Sequence, residues 1–279
     1  MKKLPVFATV SEALKGAFAH FGTMVRLVWL PGLLYLGISI VVGWSDFASR
    51  FDYYDGEFRL KEIADTEISE WIGLINLGSF FLWPMIAIAW HRFVILGEDQ
   101  GLYWRFKARE WKFLGASLFL VVPYLIVFAI LSILFIGMGG SWADVAGLAE
   151  ITRIEDAENP KFLANAIGMI FVGAFVAAYF AIRLLLLLPA VAIDQPFSPS
   201  AMLSATRGNF WRLLATFFLL GIVVVILYTA AGLTFFISPL VTIGVAPLIV
   251  IFAQITGVAV LSIAYRELVG IPERAGDAA

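Results

Sequence analysis

The chain of 279 residues contains no cysteine. That excludes disulfides, thiolate-bound metals and a cysteine nucleophile, and it leaves the redox compartment undetermined. There are two histidines, His20 and His91, and neither belongs to HExxH or another ligand spacing. No GxSxG, Walker loop or GxGxxG occurs, so hydrolase, nucleotide-driven and dinucleotide chemistries lack a starting residue. No cofactor and no catalytic residue are expected. Charge is scarce as well: 14% of residues are charged and 61% hydrophobic, against about 25% charged in an ordinary soluble domain.

What charge there is falls in clusters. Residues 213–265 run without a single charge between Arg212 and Arg266. As one helix that stretch would be roughly 80 Å long, against a hydrocarbon core of about 30 Å, so it must cross twice. With a mean hydropathy of +0.92, the composition predicts an all-α polytopic membrane protein. The apolar runs give six transmembrane helices at 27–44, 71–90, 113–138, 162–188, 213–237 and 240–265. Residues 1–270 form one domain on this reading, and 271–279 a short disordered tail. Gly244 and Pro247 blur the start of the sixth span, and a re-entrant stretch over 233–246 is the alternative. The amino terminus has a basic start without an apolar run ahead of Thr9, so the first span is expected to act as an uncleaved anchor.

Each pair of spans is preceded by an amphipathic segment expected to lie on the membrane surface. In the first, Thr9 and Glu12 fit a capping box, and Leu14, Ala17, Phe18, Phe21 and Val25 share one helical face. The second carries Trp104, Ala108 and Trp111 among Arg105, Lys107, Arg109 and Lys112. In the third, Pro189 and Asp194-Gln195-Pro196 break a span, Ser198 and Pro199 restart a helix as N-cap and first residue, and Trp211-Arg212 leads back in. Trp111-Lys112-Phe113-Leu114 recurs as Trp211-Arg212-Leu213-Leu214, and each returning span ends near an arginine, at Arg92, Arg183 and Arg266. That suggests three copies of one unit, surface helix, out and back.

The loops between outgoing and returning spans, 46–70 and 139–161, are acidic. With both termini placed in the cytoplasm, the inner segments hold 14 Lys/Arg and the outer ones five, while acids divide as eight and 13. The positive-inside rule then predicts an inner-membrane protein with both ends cytoplasmic. Asp52, Asp55 and Glu57 lack the ordered ligand positions of a calcium loop and read as a solvated face.

Ionisable residues deep in the bilayer usually mark a transport path, and essentially none is present. Arg183 lies close enough to a span end to snorkel to the headgroups. Gln254 near the middle of the sixth span, with Asn76 and Asn165 nearer the outer halves of theirs, are the intramembrane polar candidates. Such amides more often hydrogen-bond across helices than bind a solute. The basic elbows carry more chemistry. Arg92, Arg105, Lys107, Arg109, Lys112, Arg183, Arg207 and Arg212 would face the anionic inner leaflet, where each cation contributes about 1 kcal/mol.

The string Pro189-Ala190-Val191 followed by residues 200–213, SAMLSATRGNFWRL, and the terminal Ala264-Tyr265-Arg266-Glu267-Leu268 resemble bacterial six-helix integral membrane proteins related to the membrane domain fused to some glycerophosphodiester phosphodiesterases. The resemblance implies an all-helical inner-membrane domain without the phosphodiesterase chemistry, which resides in a separate soluble barrel. The expected role is therefore non-enzymatic contact with anionic membrane lipids or a membrane-protein partner through the basic elbows, with no nucleic-acid binding. A carrier or channel for a small neutral or amphiphilic solute, centred on Gln254, is the alternative. An intramembrane enzyme would rest on His91 and Arg92 alone.

Overall fold

A computed structural model describes residues 2–54, 57–60, 67–98, 107–137, 160–236 and 238–271. Side chains over 51–80 and 160–166 lie outside the description. The described chain is a helical bundle with one short hairpin. In order it runs α1 (Val6–Ala19), α2 (Phe21–Arg50), β1 (Phe51–Tyr54), β2 (Glu57–Leu60), α3 (Glu67–Leu96), α4 (Ala108–Phe119) and α5 (Val122–Gly137). It continues with α6 (Pro160–Leu184), α7 (Leu187–Ala192), α8 (Pro199–Ala205), α9 (Phe210–Leu233), a short 3-10 turn over Thr234–Phe236, and α10 (Pro239–Leu268).

Among the described residues, four helical stretches are long and apolar enough to cross a membrane: Ala108–Gly137, Ile167–Ala192, Phe210–Phe236 and Val241–Leu268. A fifth follows if the two limbs of α2 count as one span. Their outer faces carry large apolar side chains with no protein cover. Leu125, Ile126, Phe128, Ile130 and Ile133 of α5 are exposed in succession, far more apolar surface than a water-soluble monomer shows. The chain is a membrane protein.

Proline decides where the helices break. A proline removes its own N–H, and its ring collides with the carbonyl four residues earlier. The axis of α2 turns by 86° between Phe21–Leu27 and Trp29–Ser45, and Leu27 is four residues before Pro31. The joint between α4 and α5 at Leu120-Val121 precedes Pro123, and the joint between α6 and α7 at Leu185-Leu186 precedes Pro189. Pro84 and Pro247 are carried inside continuous helices. Thus α10 runs unbroken through Gly244 and Pro247 from Pro239, in place of the re-entrant alternative.

The expected capping box at Thr9 is not what starts α1. The helix begins one turn earlier, after Pro5, so Thr9 lies inside it and its hydroxyl donates to the Pro5 carbonyl at 2.9 Å. Glu12 is released from capping and pairs with Arg266. The buried face is Thr9, Val10, Ala13 and Ala17, set against α9 and α10, while Phe18, Phe21 and Val25 of the expected face are exposed. Small residues pack inward because the two helices approach closely; the bulky ones are left on the outside. The second lead-in also differs from expectation, since α4 carries straight on into α5 as one 30-residue apolar stretch. Trp104 and Arg105 of that lead-in lie outside the described residues.

The loop expected over 46–70 is shorter than its polarity suggested. Helix α2 continues to Arg50, and β1 pairs antiparallel with β2, Tyr54 opposite Glu57 and Phe51 opposite Leu60. The sequence cue was Asp55-Gly56 between aromatic-rich segments, a strong hairpin signal. Asp52 and Glu57 stand on the two strands, their side chains outside the description.

Helix α10 is the centre of the bundle, touching α1, α2, α3, α7 and α9. Apolar almost all round, it buries Ile255, Val258, Ala259, Val260, Ile263 and Ala264. Its amide Gln254 donates to Tyr35 Oη on α2 at 3.1 Å, the cross-helix bond expected of it. Burial also recurs along the chain. Met24 and Leu27, Phe113 and Ala116, and Leu213 and Thr216 are all buried at the same i, i+3 spacing, while Trp111 and Trp211 are 58% and 67% exposed. This fits three related units.

Helices α5 and α6 pack closely at Gly173, where an added Cβ would meet Leu131 Cδ1 at 2.5 Å and Val127 Cγ1 at 2.8 Å. Gly173→Ala should lower thermal stability by about 1–3 kcal/mol through overpacking. Gly221→Ala on α9, where a Cβ meets nothing within 4 Å, should raise it by about 0.4–1 kcal/mol. Melting curves in detergent compare the two.

Candidate functional site: the arginine-bridged elbows

The three returning helices end at one end of the bundle, and each terminal arginine holds another segment there. Helix α3 ends in a left-handed cap at Gly97, φ +67°, whose N–H donates to the Phe93 carbonyl at 2.9 Å. Glycine takes that conformation without a Cβ penalty. The turn brings Glu98 back onto Arg92, which donates from Nε at 2.8 Å and Nη2 at 2.9 Å to its two carboxylate oxygens. Nη1 of Arg92 donates to the Ala192 carbonyl at 3.1 Å and to Asp194 Oδ2 at 2.8 Å.

Asp194 is the unusual member. Helix α7 closes in a Schellman pattern, with Gln195 N donating to the Ala190 carbonyl at 2.9 Å and Asp194 N to Val191 at 3.1 Å. The residue in the left-handed position of that motif is normally glycine, yet here it is Asp194 with φ 63°. Aspartate tolerates this conformation better than most residues but still at a cost. A carboxylate at a helix C-terminus also opposes the helix dipole. Both costs are offset by two guanidinium groups, because Arg109 donates to Asp194 from Nε and Nη2 at 2.8 and 2.7 Å. Partial burial pushes the Asp194 carboxyl up, but the hydrogen bonds and charge of Arg109, then of Arg92, outweigh it and hold it below the ordinary carboxylate range. This strained aspartate therefore clamps α3 to α4 through the end of α7.

Arg183 does not reach out to solvent. It donates to Tyr179 Oη at 2.8 Å, to Thr206 Oγ1 at 3.2 Å and to the Leu203 carbonyl, gripping the C-terminal end of α8. Arg266 pairs with Glu12 of α1, and Lys2 with Glu267 at 2.7 Å. Asn209 and Arg212 pin the amino-terminal segment. Leu4 N donates to Asn209 Oδ1 at 3.0 Å, Asn209 Nδ2 donates to the Lys2 carbonyl at 3.0 Å, and Arg212 Nη1 donates to the Leu4 carbonyl at 2.9 Å. No spacing in the sequence signals this role of Asn209, which depends on a segment more than 200 residues away.

Of the other expected headgroup cations, Arg105 lies outside the described residues. The backbone N–H of Lys107 donates to Glu110 at 2.7 Å, the reciprocal half of a capping box at the start of α4. Lys112 and Arg207 are exposed, with no side-chain ion pair among the described residues. Asn76 and Asn165 stand on α3 and α6, their side chains outside the description.

Lys112 stands on the rim of a groove of about 600 Å³ between α4 and the segment after α7. Its apolar lining includes Ala116, Phe119, Val191 and Phe197, the two phenylalanine rings meeting edge to face at 5.2 Å. The groove joins a cation to apolar wall, the two requirements of an anionic amphiphile.

His91 is buried on α3, its Nδ1 2.7 Å from Ser262 Oγ of α10. Ser262 donates to the Val258 carbonyl at 2.8 Å, so the ring proton sits on Nδ1. His91 Nε2 and Trp90 Nε1 are buried without a partner among the described residues.

Comparison with family profiles, curated proteins and solved structures finds no match for this chain.

Because the Asp194 carboxyl ionises more readily folded than unfolded, its contribution is complete at neutral pH. It is lost as pH falls from the unfolded value of 3.8 through the lower folded one. Asp194→Asn should lower thermal stability at pH 7, with the gap to wild type closing below about pH 4. Asp194→Gly, free of the backbone strain, should lose less than Asp194→Asn by up to about 1 kcal/mol. Melting curves from pH 7 to 3 test both.

Proposed function

We propose that this chain is a non-enzymatic, six-span protein of the bacterial inner membrane, both termini cytoplasmic, that binds anionic phospholipid in the groove beside Lys112. The observation that carries the reading is the meeting of an exposed Lys112, with no ion pair among the described residues, with the Phe119 and Phe197 wall. A phosphate headgroup matches the cation, and the start of an acyl chain matches the wall. Helix α3, 30 residues long, and α2 supply the two crossings beyond the four clearest. The Lys2 pair with Glu267 supports an even number of crossings, and the cation bias supports the cytoplasmic side. The likeness at the third elbow to six-helix relatives of glycerophosphodiester phosphodiesterase membrane domains belongs to the same reading.

The binding cations are fewer than the basic content suggests. Arg92, Arg109, Arg183 and Arg212 are engaged within the chain, which favours Lys112 and Arg207 as the groups that meet headgroups. The solute-carrier alternative has lost support where it was strongest, since Gln254 is already bonded to Tyr35.

Lys112→Gln and Arg207→Gln should each weaken retention of anionic phospholipid about fivefold, a loss on the order of 1 kcal/mol per cation. Mass spectrometry of lipid retained after mild detergent extraction reads the effect. Unchanged retention in the double variant, with a carboxyl-terminal reporter still cytoplasmic, would reject the lipid site. A periplasmic reporter would reject the topology.

A further inference from the structure

We propose that a second cavity, between α1, the end of α3 and α10, binds a single-chain anionic amphiphile, an acyl chain ending in a carboxylate or a phosphate. The cavity is about 670 Å³, within the range of about 300–1,000 Å³ typical of small-ligand sites and suited to one chain. It is separate from the groove at Lys112, and its case does not rest on that site.

Trp90, Phe93 and Ile263 form part of an apolar wall, and the Trp90 and Phe93 rings stack at 5.1 Å. The rim is basic. Lys15 is exposed with no ion pair among the described residues. Arg266 shares its charge with Glu12 across the same rim, and His20, edge to face with Phe93 at 5.2 Å, lines it too. With Glu12 paired to Arg266, Lys15 has no carboxylate partner among the described residues. Trp90, buried in that wall, places an intrinsic fluorophore at the cavity. An apolar wall beneath a lysine with no ion pair among the described residues describes the chemistry of an acyl chain with an anionic head.

The full chain, in nanodiscs of phosphatidylcholine, is titrated with brominated palmitate, brominated lysophosphatidic acid and a neutral brominated monoacylglycerol while tryptophan fluorescence is read. The chain has nine tryptophans, so the Trp90 signal is the difference between wild type and Trp90→Phe. Saturable, Trp90-dependent quenching by one or both anionic probes is expected, and whichever binds names the head group. Gly16 lines the cavity, and a Cβ there meets nothing within 4 Å, so Gly16→Leu should fill the space, keep the fold and abolish the quenching. Lys15→Gln should weaken it about fivefold. Lys112→Gln should leave it unchanged, which separates failure here from failure at the groove. Equal saturable quenching by the neutral probe, quenching that survives Gly16→Leu, or quenching identical in Trp90→Phe would each overturn the proposal.

Discussion

The guanidinium of Arg92, only 11% exposed, sits between two carboxylates, and the elbow end of the bundle depends on its charge being matched. A buried arginine without partners is strongly destabilising, whereas one held by bidentate hydrogen bonds becomes a rigid joint. Glu98 reaches it from the same helix through a glycine turn, and Asp194 from a segment a hundred residues later at the expense of a left-handed backbone. The same device recurs at the other two returning helices. Arg183 grips the end of α8, Arg266 grips α1, and Arg92, through Asp194 and Arg109, grips α4. Each returning helix thereby fastens the lead-in helix of the following unit, and the third fastens that of the first.

This closed set of bridges changes how the basic content reads. Positive charge at the end of a membrane helix serves two purposes that composition cannot separate, facing anionic headgroups and joining protein segments. Arg92, Arg109, Arg183 and Arg212 do the second, and Lys112, Arg207 and Lys15 remain for the first. Lys15 and Lys112, without ion pairs among the described residues, each line an amphiphilic recess. Lysine suits that task as a flexible point charge on a long stem, while the planar fork of arginine suits the joints.

Proline supplies the complementary device. Three prolines break or bend helices one turn ahead of themselves, and two others are absorbed into continuous helix. Only the break ahead of Pro31 swings the axis sharply, by 86°, whereas α4 with α5 and α6 with α7 each continue as one membrane-length stretch, the second ending just before Asp194. Where a proline is absorbed, as at Pro247, neighbouring helices enclose that part of the span. Surrounding contacts therefore decide whether a missing hydrogen bond becomes a hinge.

Helical class, membrane character, the apolar segments, the Ser198-Pro199 restart and the cross-helix role of Gln254 were all legible in the sequence. Each is set by local composition and spacing, because oily runs must leave water and proline must end hydrogen-bonding. The pairing of β1 with β2 was not read from the sequence, because the acidity of 46–70 pointed to a solvated loop. The start of α1 was misread because Thr9 and Glu12 match a capping motif equally well one turn inside a helix. What tertiary structure alone decided is the partnership of charges. Asp194 with Arg92 and Arg109, Asn209 with Leu4, and Arg183 with α8 join residues from about 20 to more than 200 positions apart. No pattern along a single chain encodes which cation will find a carboxylate and which will be left to face the membrane.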